Sequence, residues 1–343
     1  MQQAERADAS DVHLHMREGS AEVSFRLDGV MTPAASLPPE IAERVFGRIK
    51  FLARLKTYQE SLPQDGRIDK SAVGARSDIR VATYPTVTGE KIVLRLFNAG
   101  TVRTLAELDF PADVRVELER FLAQTTGLLL LTGPAGSGKT TTIYACLRHL
   151  AASGQRHIIT VEEPAEQIIP GVMQTEVNEV RGLDFAKAAR HLLRQDPQVL
   201  VLGEIRDEET ANIAVRAALT GHLVISTLHA GSCQGVFGRL LALCADSSAA
   251  AASVALVLNQ RLIRRLCCDC SGKGCPSCLA TGYRGRLPLV EWLRVNDTAR
   301  GRIAARDLDA LSAHPSLADS AKSLVKAGLT NEPEVDRVLG FPG

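Results

Sequence analysis

Aromatic residues make up 4% of this 343-residue chain, with one tryptophan, and its 40 Lys and Arg are nearly cancelled by 39 Asp and Glu. The first scarcity leaves few ring faces for bases to stack on. The second leaves no broad positive field, so a surface that tracks nucleic acid is not expected. Long apolar runs are missing too. No uncharged stretch approaches the eighteen or so residues of a membrane helix, and the opening MQQAERADAS has no apolar stretch of the kind a secretory leader needs. The expectation is a cytoplasmic chain. Hydrophobic residues at 45% and charged residues at 23% are ordinary for a folded globular protein, and the length suggests two domains.

What is abundant is cysteine in one place. Of eight cysteines, five fall within CCDCSGKGCPSC at 267–278. Such a cluster serves as a disulfide staple, a metal site or a redox pair, and a reducing compartment disfavours the staple. Cys267, Cys270, Cys275 and Cys278 spell CxxC, four residues, CxxC, the paired knuckles that hold tetrahedral thiolate zinc. The glycines of the intervening SGKG permit the tight return this spacing demands. Cys268 is spare, and a redox CxxC remains the competing reading.

Apolar periodicity divides the chain. EVSFRL leading into Asp28-Gly29 alternates as a strand entering a hairpin, and DIRVATY and EKIVLRLF alternate on either side of a turn at Thr88-Gly89. From Pro39 to about Lys56, Ile41, Val45, Ile49, Leu52 and Leu55 recur at three- and four-residue steps, which predicts an amphipathic helix. Residues 1–97 therefore read as a small α+β domain, and 98–112, weakly periodic and holding Pro111, as a linker. Residues 113–343 repeat strand, loop and helix in the rhythm of a parallel sheet with crossover helices, so the fold class is α/β, with a helical region at 297–343.

The short apolar strand GLLLLTG runs into GPAGSGKT, which fits GxxxxGK[ST] between a strand and a helix. Backbone amides of Gly133, Pro134, Ala135, Gly136, Ser137, Gly138, Lys139 and Thr140, with Thr141 next, form the expected phosphate cradle at a helix N-terminus, Pro134 contributing its position and not a donor. Lys139 is expected to bridge the β- and γ-phosphates of ATP, and the Thr140 hydroxyl to ligate Mg²⁺. QVLVLGE reads as a second buried strand, ending at Gly203 with the acid, Glu204, one step later. That acid is placed to hold Mg²⁺ water or polarise the attacking water.

These motifs, with ITVEEPAE, LTGHLVISTLHA and TGYRGR, and with ASDVHLHM, FRLDGV and LPQDGRI nearer the start, resemble the type II secretion and type IV pilus assembly ATPases over nearly the whole chain. The resemblance implies a RecA-like P-loop core, a preceding PAS-like domain and a small four-cysteine zinc subdomain at 266–286. It implies Glu162 of the acidic box as a general base or water-orienting group, with Glu204 the rival, and Glu163 where the family usually has aspartate. It implies that His229 sits near the γ-phosphate or a subunit boundary, with His222 able to serve the same network. Arg67 and Arg80 take positions the family uses to neutralise phosphoryl charge, and Arg190 and Arg194, four apart on one helix face, are placed to meet the nucleotide or a neighbour.

The expected assembly is a homohexamer that hydrolyses ATP to drive pilin or pseudopilin assembly. It would act against a polytopic inner-membrane platform protein, with no nucleic acid, and would lack the family's usual extra N-terminal domain. A retraction motor, a nucleic-acid translocase on a similar core and a nucleotide-gated scaffold are the alternatives. The cysteines oppose the first and the weak charge and aromatic content the second, while the presence of both Lys139 and Glu204 opposes the third.

Overall fold

The computed structural model describes residues 1–18, 20–96, 103–178 and 182–340, and these form two compact units. One takes the chain up to residue 96 together with Arg264–Arg286, and the other takes Arg103–Ile263 with residues 287–340. Residues 97–102, the domain end and the first part of the expected linker, lie outside the described residues. Residues 103–112 belong to the second unit, where Leu105 and Leu108 are buried in its core.

The first unit contains α1 (Gln2–Arg6), β1 (Asp11–Arg17), β2 (Ser20–Leu27), β3 (Val30–Leu37), α2 (Pro39–Leu52), β4 (Gln64–Ile68), α3 (Lys70–Val73), β5 (Ile79–Thr86) and β6 (Gly89–Leu96). Among the described residues its sheet has six strands in the order β3-β2-β1-β6-β5-β4, antiparallel throughout. Two-residue alternation sends Val12, Leu14, Ile79, Val81, Ile92 and Leu94 to one buried face. The helix on that face is turned slightly from the sequence expectation. Ala42, Phe46 and Lys50, at i, i+4 and i+8, are its buried line, while Ile41 is exposed. Periodicity counts apolar residues, and here one of the fully buried positions is a lysine.

The second unit contains α4 (Ala112–Leu122), β7 (Gly127–Thr132), α5 (Lys139–Ala152), β8 (Ile158–Glu162), β9 (Val172–Glu176), α6 (Phe185–Leu192), β10 (Val199–Leu202), α7 (Glu208–Leu219), β11 (Leu223–Thr227), α8 (Cys233–Leu243), α9 (Ser247–Ser253), most of β12 (Val254–Leu266) and of β13 (Tyr283–Arg294), α10 (Asp297–Ala304), α11 (Leu317–Lys326) and α12 (Glu332–Leu339). The strand order is β13-β12-β7-β11-β10-β8-β9, and the pairs from β12 to β9 are parallel. β7 reads as unbroken leucine because both faces are covered. Leu128 and Leu130 enter one core, Leu129 and Leu131 the other. The parallel register brings the carboxyl ends of β7, β8, β10 and β11 to one edge, where loops in such sheets gather ligands.

In the first unit Lys50 is 1% exposed, and its ammonium donates to both Glu90 oxygens at 3.1 and 3.2 Å and to Gln59 O at 3.0 Å. Burial holds the Glu90 carboxyl above its usual range against the pull of Lys50. Lys50→Ala strands that carboxyl and should destabilise the unit by about 3–5 kcal/mol. The paired apolar replacement Lys50→Met with Glu90→Leu should recover most of the loss. Amide exchange of β5 and β6 in the full chain measures both.

Candidate active site and metal centre

The P-loop leaves β7 through Gly133, whose φ of +135° and whose surroundings both demand glycine. A Cβ there would lie 2.3 Å from Gln260 O and 2.7 Å from Ser137 Oγ. The loop closes over its own lysine, and Lys139 Nζ donates to Gly133 O at 2.9 Å and Pro134 O at 3.0 Å. Burial, and then the nearby Arg261 guanidinium, hold the Lys139 ammonium below its usual range. That site favours an anion that would restore the charge balance. The exposed Thr140 follows on the first turn of α5.

Across the same edge, β10 ends at Leu202. Gly203 N is held by Val161 O at 2.8 Å and Ile205 N by Thr227 O at 2.9 Å, which fixes the backbone on both sides of Glu204. Glu204 receives His229 Nε2 at 3.3 Å and is ion-paired to Arg206, whose other nitrogen reaches Glu163 at 2.9 Å. Arg206 also lies 5.7 Å from the Phe185 ring centre. Burial, followed by Lys139, Arg206 and Arg239, holds the His229 imidazole below its usual range. At neutral pH it is an uncharged ring donating to the carboxylate.

Glu162 faces elsewhere. It is 7% exposed and accepts from Tyr144 OH, from Thr160 Oγ1 at 2.6 Å and from Gln174 Nε2 at 2.9 Å. Burial and then Glu162 push the Tyr144 phenol upward, so it stays a donor. Its oxygen in turn accepts the Glu166 amide at 2.8 Å. This arrangement ties α5 to the acidic box.

His222 sits at the opposite end of β11, its Nδ1 3.0 Å from Ala217 O. Five strand residues separate it from the His229 end, about 17 Å at the usual rise. Arg190 on α6 pairs with Glu209 at 2.9 Å, and with Lys187, His191 and Arg194 it lines a shallow cleft of about 320 Å³.

In the first unit the sheet register joins what sequence reading named separately. Arg67 on β4 lies opposite Arg80 on β5, and Arg80 opposite Arg95 on β6. Like charges facing each other across strands are destabilising, and carboxylates of the same unit offset part of that cost here. Arg67 is ion-paired to Asp78, and Arg95 to the buried Asp11 at 3.0 Å. Sequence reading named neither Arg95, Arg206 nor Tyr144. The alternation of EKIVLRLF put Arg95 on the outer face in phase with Arg80, a signal that was available. The partners of Arg206 and Tyr144 come from distant strands.

The cysteine segment 264–286 packs in the first unit, whereas the sequence reading grouped it with the ATPase domain. Leu279 lies against that unit's core, and Gly285 N donates to Asp28 at 2.8 Å in the β2–β3 turn. The sulfurs of Cys267, Cys270, Cys275 and Cys278 lie within 4.8 Å of one another. Three of the separations are 3.9 Å (267 to 275), 3.9 Å (270 to 278) and 3.7 Å (275 to 278). A tetrahedron with metal–sulfur bonds of about 2.3 Å has edges of about 3.8 Å, so the donor set fits zinc. Amides point at the sulfurs as thiolates require, Gly274 N at Cys270 from 3.3 Å, Cys275 N at Cys278 from 3.2 Å and Gly282 N at Cys278 from 3.3 Å. Burial alone would raise the Cys278 thiol, but these amides and the neighbouring cysteines bring it down to about 6. Cys268 is exposed and turns to Asp269.

Comparison with known proteins shows the family. A family model described as type II/IV secretion system protein matches residues 1–337. Type II secretion system protein E of Pectobacterium carotovorum subsp. carotovorum is 39% identical over 360 residues, covering 96% of this chain and 72% of its own. Type II secretion system ATPase E of Vibrio cholerae is 38% identical over 362 residues, covering 96% and 72%. Among solved structures, the pilus retraction motor PilT with bound ADP superposes with a TM-score of 0.68 at 26% identity, over 100% of this chain and 96% of that one.

Gly133→Ala should weaken binding of a fluorescent ATP analogue by at least about tenfold, because both the φ and the Gln260 carbonyl refuse a methyl group. Gly136→Ala, with nothing within 4 Å of the new carbon, should weaken it less. Titration of both variants checks the order.

Proposed function

This chain belongs to the type II/IV secretion system protein family, and from that premise we propose how its residues divide the work of the ATPase motor that the family and its relatives define. The motor hydrolyses ATP for a secretion or pilus machine. The observation that carries the division of roles is the convergence of the P-loop, Glu204 and His229 on one sheet edge. P-loop amides and Lys139 bind the β- and γ-phosphates, and the Thr140 hydroxyl takes Mg²⁺, an ion that neutralises charge developing on those phosphates. Glu204 orients the attacking water, because it stands beside His229 on the reachable side of the sheet. Glu162 fixes the acidic box through Tyr144. Arg206 holds Glu204 and Glu163 together in the resting arrangement.

The arginine row supports a site completed between subunits of a homohexamer. Arg67 and Arg80 are cross-strand partners on an exposed sheet face of the first unit, and Lys139 belongs to the second. In a ring, one chain's arginines reach the nucleotide held by its neighbour, and hydrolysis releases that clamp. Arg190 and Arg194 belong to the face turned toward the adjoining subunit. The stroke drives pilin or pseudopilin assembly through an inner-membrane platform protein, with the chain cytoplasmic and peripheral to that membrane. None of its described helices is long and apolar enough to cross one. The zinc-fitting cysteine tetrad favours assembly over retraction, since by family resemblance retraction motors generally lack it.

Neither Arg80→Ala nor Lys139→Ala should turn over ATP, whereas an equal mixture should regain about a quarter of wild-type activity, because one interface in four pairs an intact arginine with an intact P-loop. A mixture that stays as inactive as its parents, while labelled subunits exchange into common rings, places the arginine in its own chain's site.

Anaerobically prepared protein should carry one zinc per chain by metal analysis, lost in Cys267→Ser. Chelation should open 266–286 to protease, since structural zinc contributes on the order of 10–16 kcal/mol to small knuckles. A metal-free chain with a Cys267–Cys270 disulfide would mean a redox pair instead.

A further inference from the structure

Three consecutive residues of β12 reach the P-loop helix, the histidine loop and β13. Gln260 Nε2 donates to Thr142 Oγ1 on the P-loop helix at 3.0 Å. Asn259 Nδ2 donates to Gly231 O at 3.0 Å and to Glu291 Oε1 at 2.9 Å. The Arg261 guanidinium donates to Asn259 Oδ1 at 2.7 Å, to Gln260 O at 2.9 Å and to Gly231 O at 3.1 Å. Its Nη1 also lies against Gly133, 3.2 Å from where a Cβ would stand. Gly231 is two residues past His229, so one carbonyl in the histidine loop is gripped by two side chains of β12. The loop's far end is gripped too, because Glu291 Oε1, on β13 and 9% exposed, accepts the Cys233 amide at 2.8 Å where α8 begins.

We propose that Arg261 is a positioning residue for hydrolysis: its planar fork locks the His229 loop, through Gly231 O, to β12, the strand on which Gly133 of the P-loop rests, and so holds the imidazole on Glu204. Only a guanidinium spans the three acceptors at once, since they lie on two different backbone segments and one side chain. An ammonium has the charge but not the fork. Burial holds the Arg261 guanidinium below its usual range, and Glu291 opposes that shift. Glu291 also accepts from Asn259, whose Oδ1 is one of the three acceptors of the fork.

The proposal rests on the reading of His229 and Glu204 given above, and the experiment separates the two. Arg261→Gln should lower kcat for ATP by at least about tenfold while KM stays within about threefold, as loss of an interaction made through the chemical step requires. Arg261→Lys should stay nearly as slow. In a His229→Ala background, Arg261→Gln should cost less than about a further twofold, because the two act through one contact. Binding of a fluorescent ATP analogue should be near wild type in each variant, and if Arg261→Gln does not fold, Arg261→Lys carries the same comparison. Full rescue by lysine, or losses that simply multiply in the double variant, would overturn the positioning role. If His229→Ala alone keeps wild-type turnover, the reading of His229 fails, and with it the route by which Arg261 was to act.

Discussion

Between the carboxyl end of β7 and the neighbouring β12 there is room at residue 133 for a hydrogen atom and nothing larger. Gln260 O would meet any side-chain carbon at 2.3 Å. That closeness follows from parallel pairing continued to its limit, with Asn259 in register with Thr132. It makes β12 the floor of the phosphate loop. One step back, Thr132 Oγ1 donates to Ala230 O and accepts from Ala230 N, both at 2.9 Å, so the histidine loop is fastened to the same strand end. The phosphate loop, the histidine loop and β12 are thus set relative to one another by close packing and side chain–backbone hydrogen bonds, which leave little freedom for any of them to shift alone.

The same edge separates two acids that sequence pattern treats as equals. Glu162 closes its strand inward, and its carboxylate is met by three donors. A carboxylate so satisfied gives up those bonds only at the cost of leaving buried donors unpaired, about 1–3 kcal/mol for each. Glu204 stands two residues beyond the end of its strand, held by exposed partners, Arg206 and His229. Those partners have a water-facing alternative that the donors around Glu162 lack, so the two carboxylates differ in what it costs to free them.

Much of this was legible from the chain. The P-loop, the strand carrying Glu204, the parallel sheet and the cysteine tetrad follow from local patterns that physics makes local, namely a tight turn, a doubly buried strand and paired knuckles. The misses share another cause. Ile41 was placed in the core because periodicity cannot see that Lys50 finds a buried carboxylate forty residues on. Tyr144 and Arg95 went unnamed because each takes its meaning from a partner on a separate strand, Glu162 and Asp11. Arg206 and Arg261 join near neighbours in sequence to a distant group, Glu163 and Gly231, and such distant neighbours have no fixed spacing in sequence.

β12 and β13 carry the two halves of the Arg261 network, Asn259 and Arg261 on one and Glu291 on the other, and both strands run on to the cysteine segment. The excursion between them, Cys267 to Gly282, contributes few apolar side chains and no helix longer than the three-residue turn Pro276–Cys278. A segment so short cannot bury enough surface to order itself. Four thiolates on one ion would supply that order without a core, and the amides aimed at Cys270 and Cys278 suit such a centre. Nearer Arg261, Asn259 donates to Glu291 at 2.9 Å and ties β12 to β13. Arg261 thus stands on a strand tied to its neighbour where it grips Gly231 O, which is what a residue must do if it is to hold a loop and not follow it.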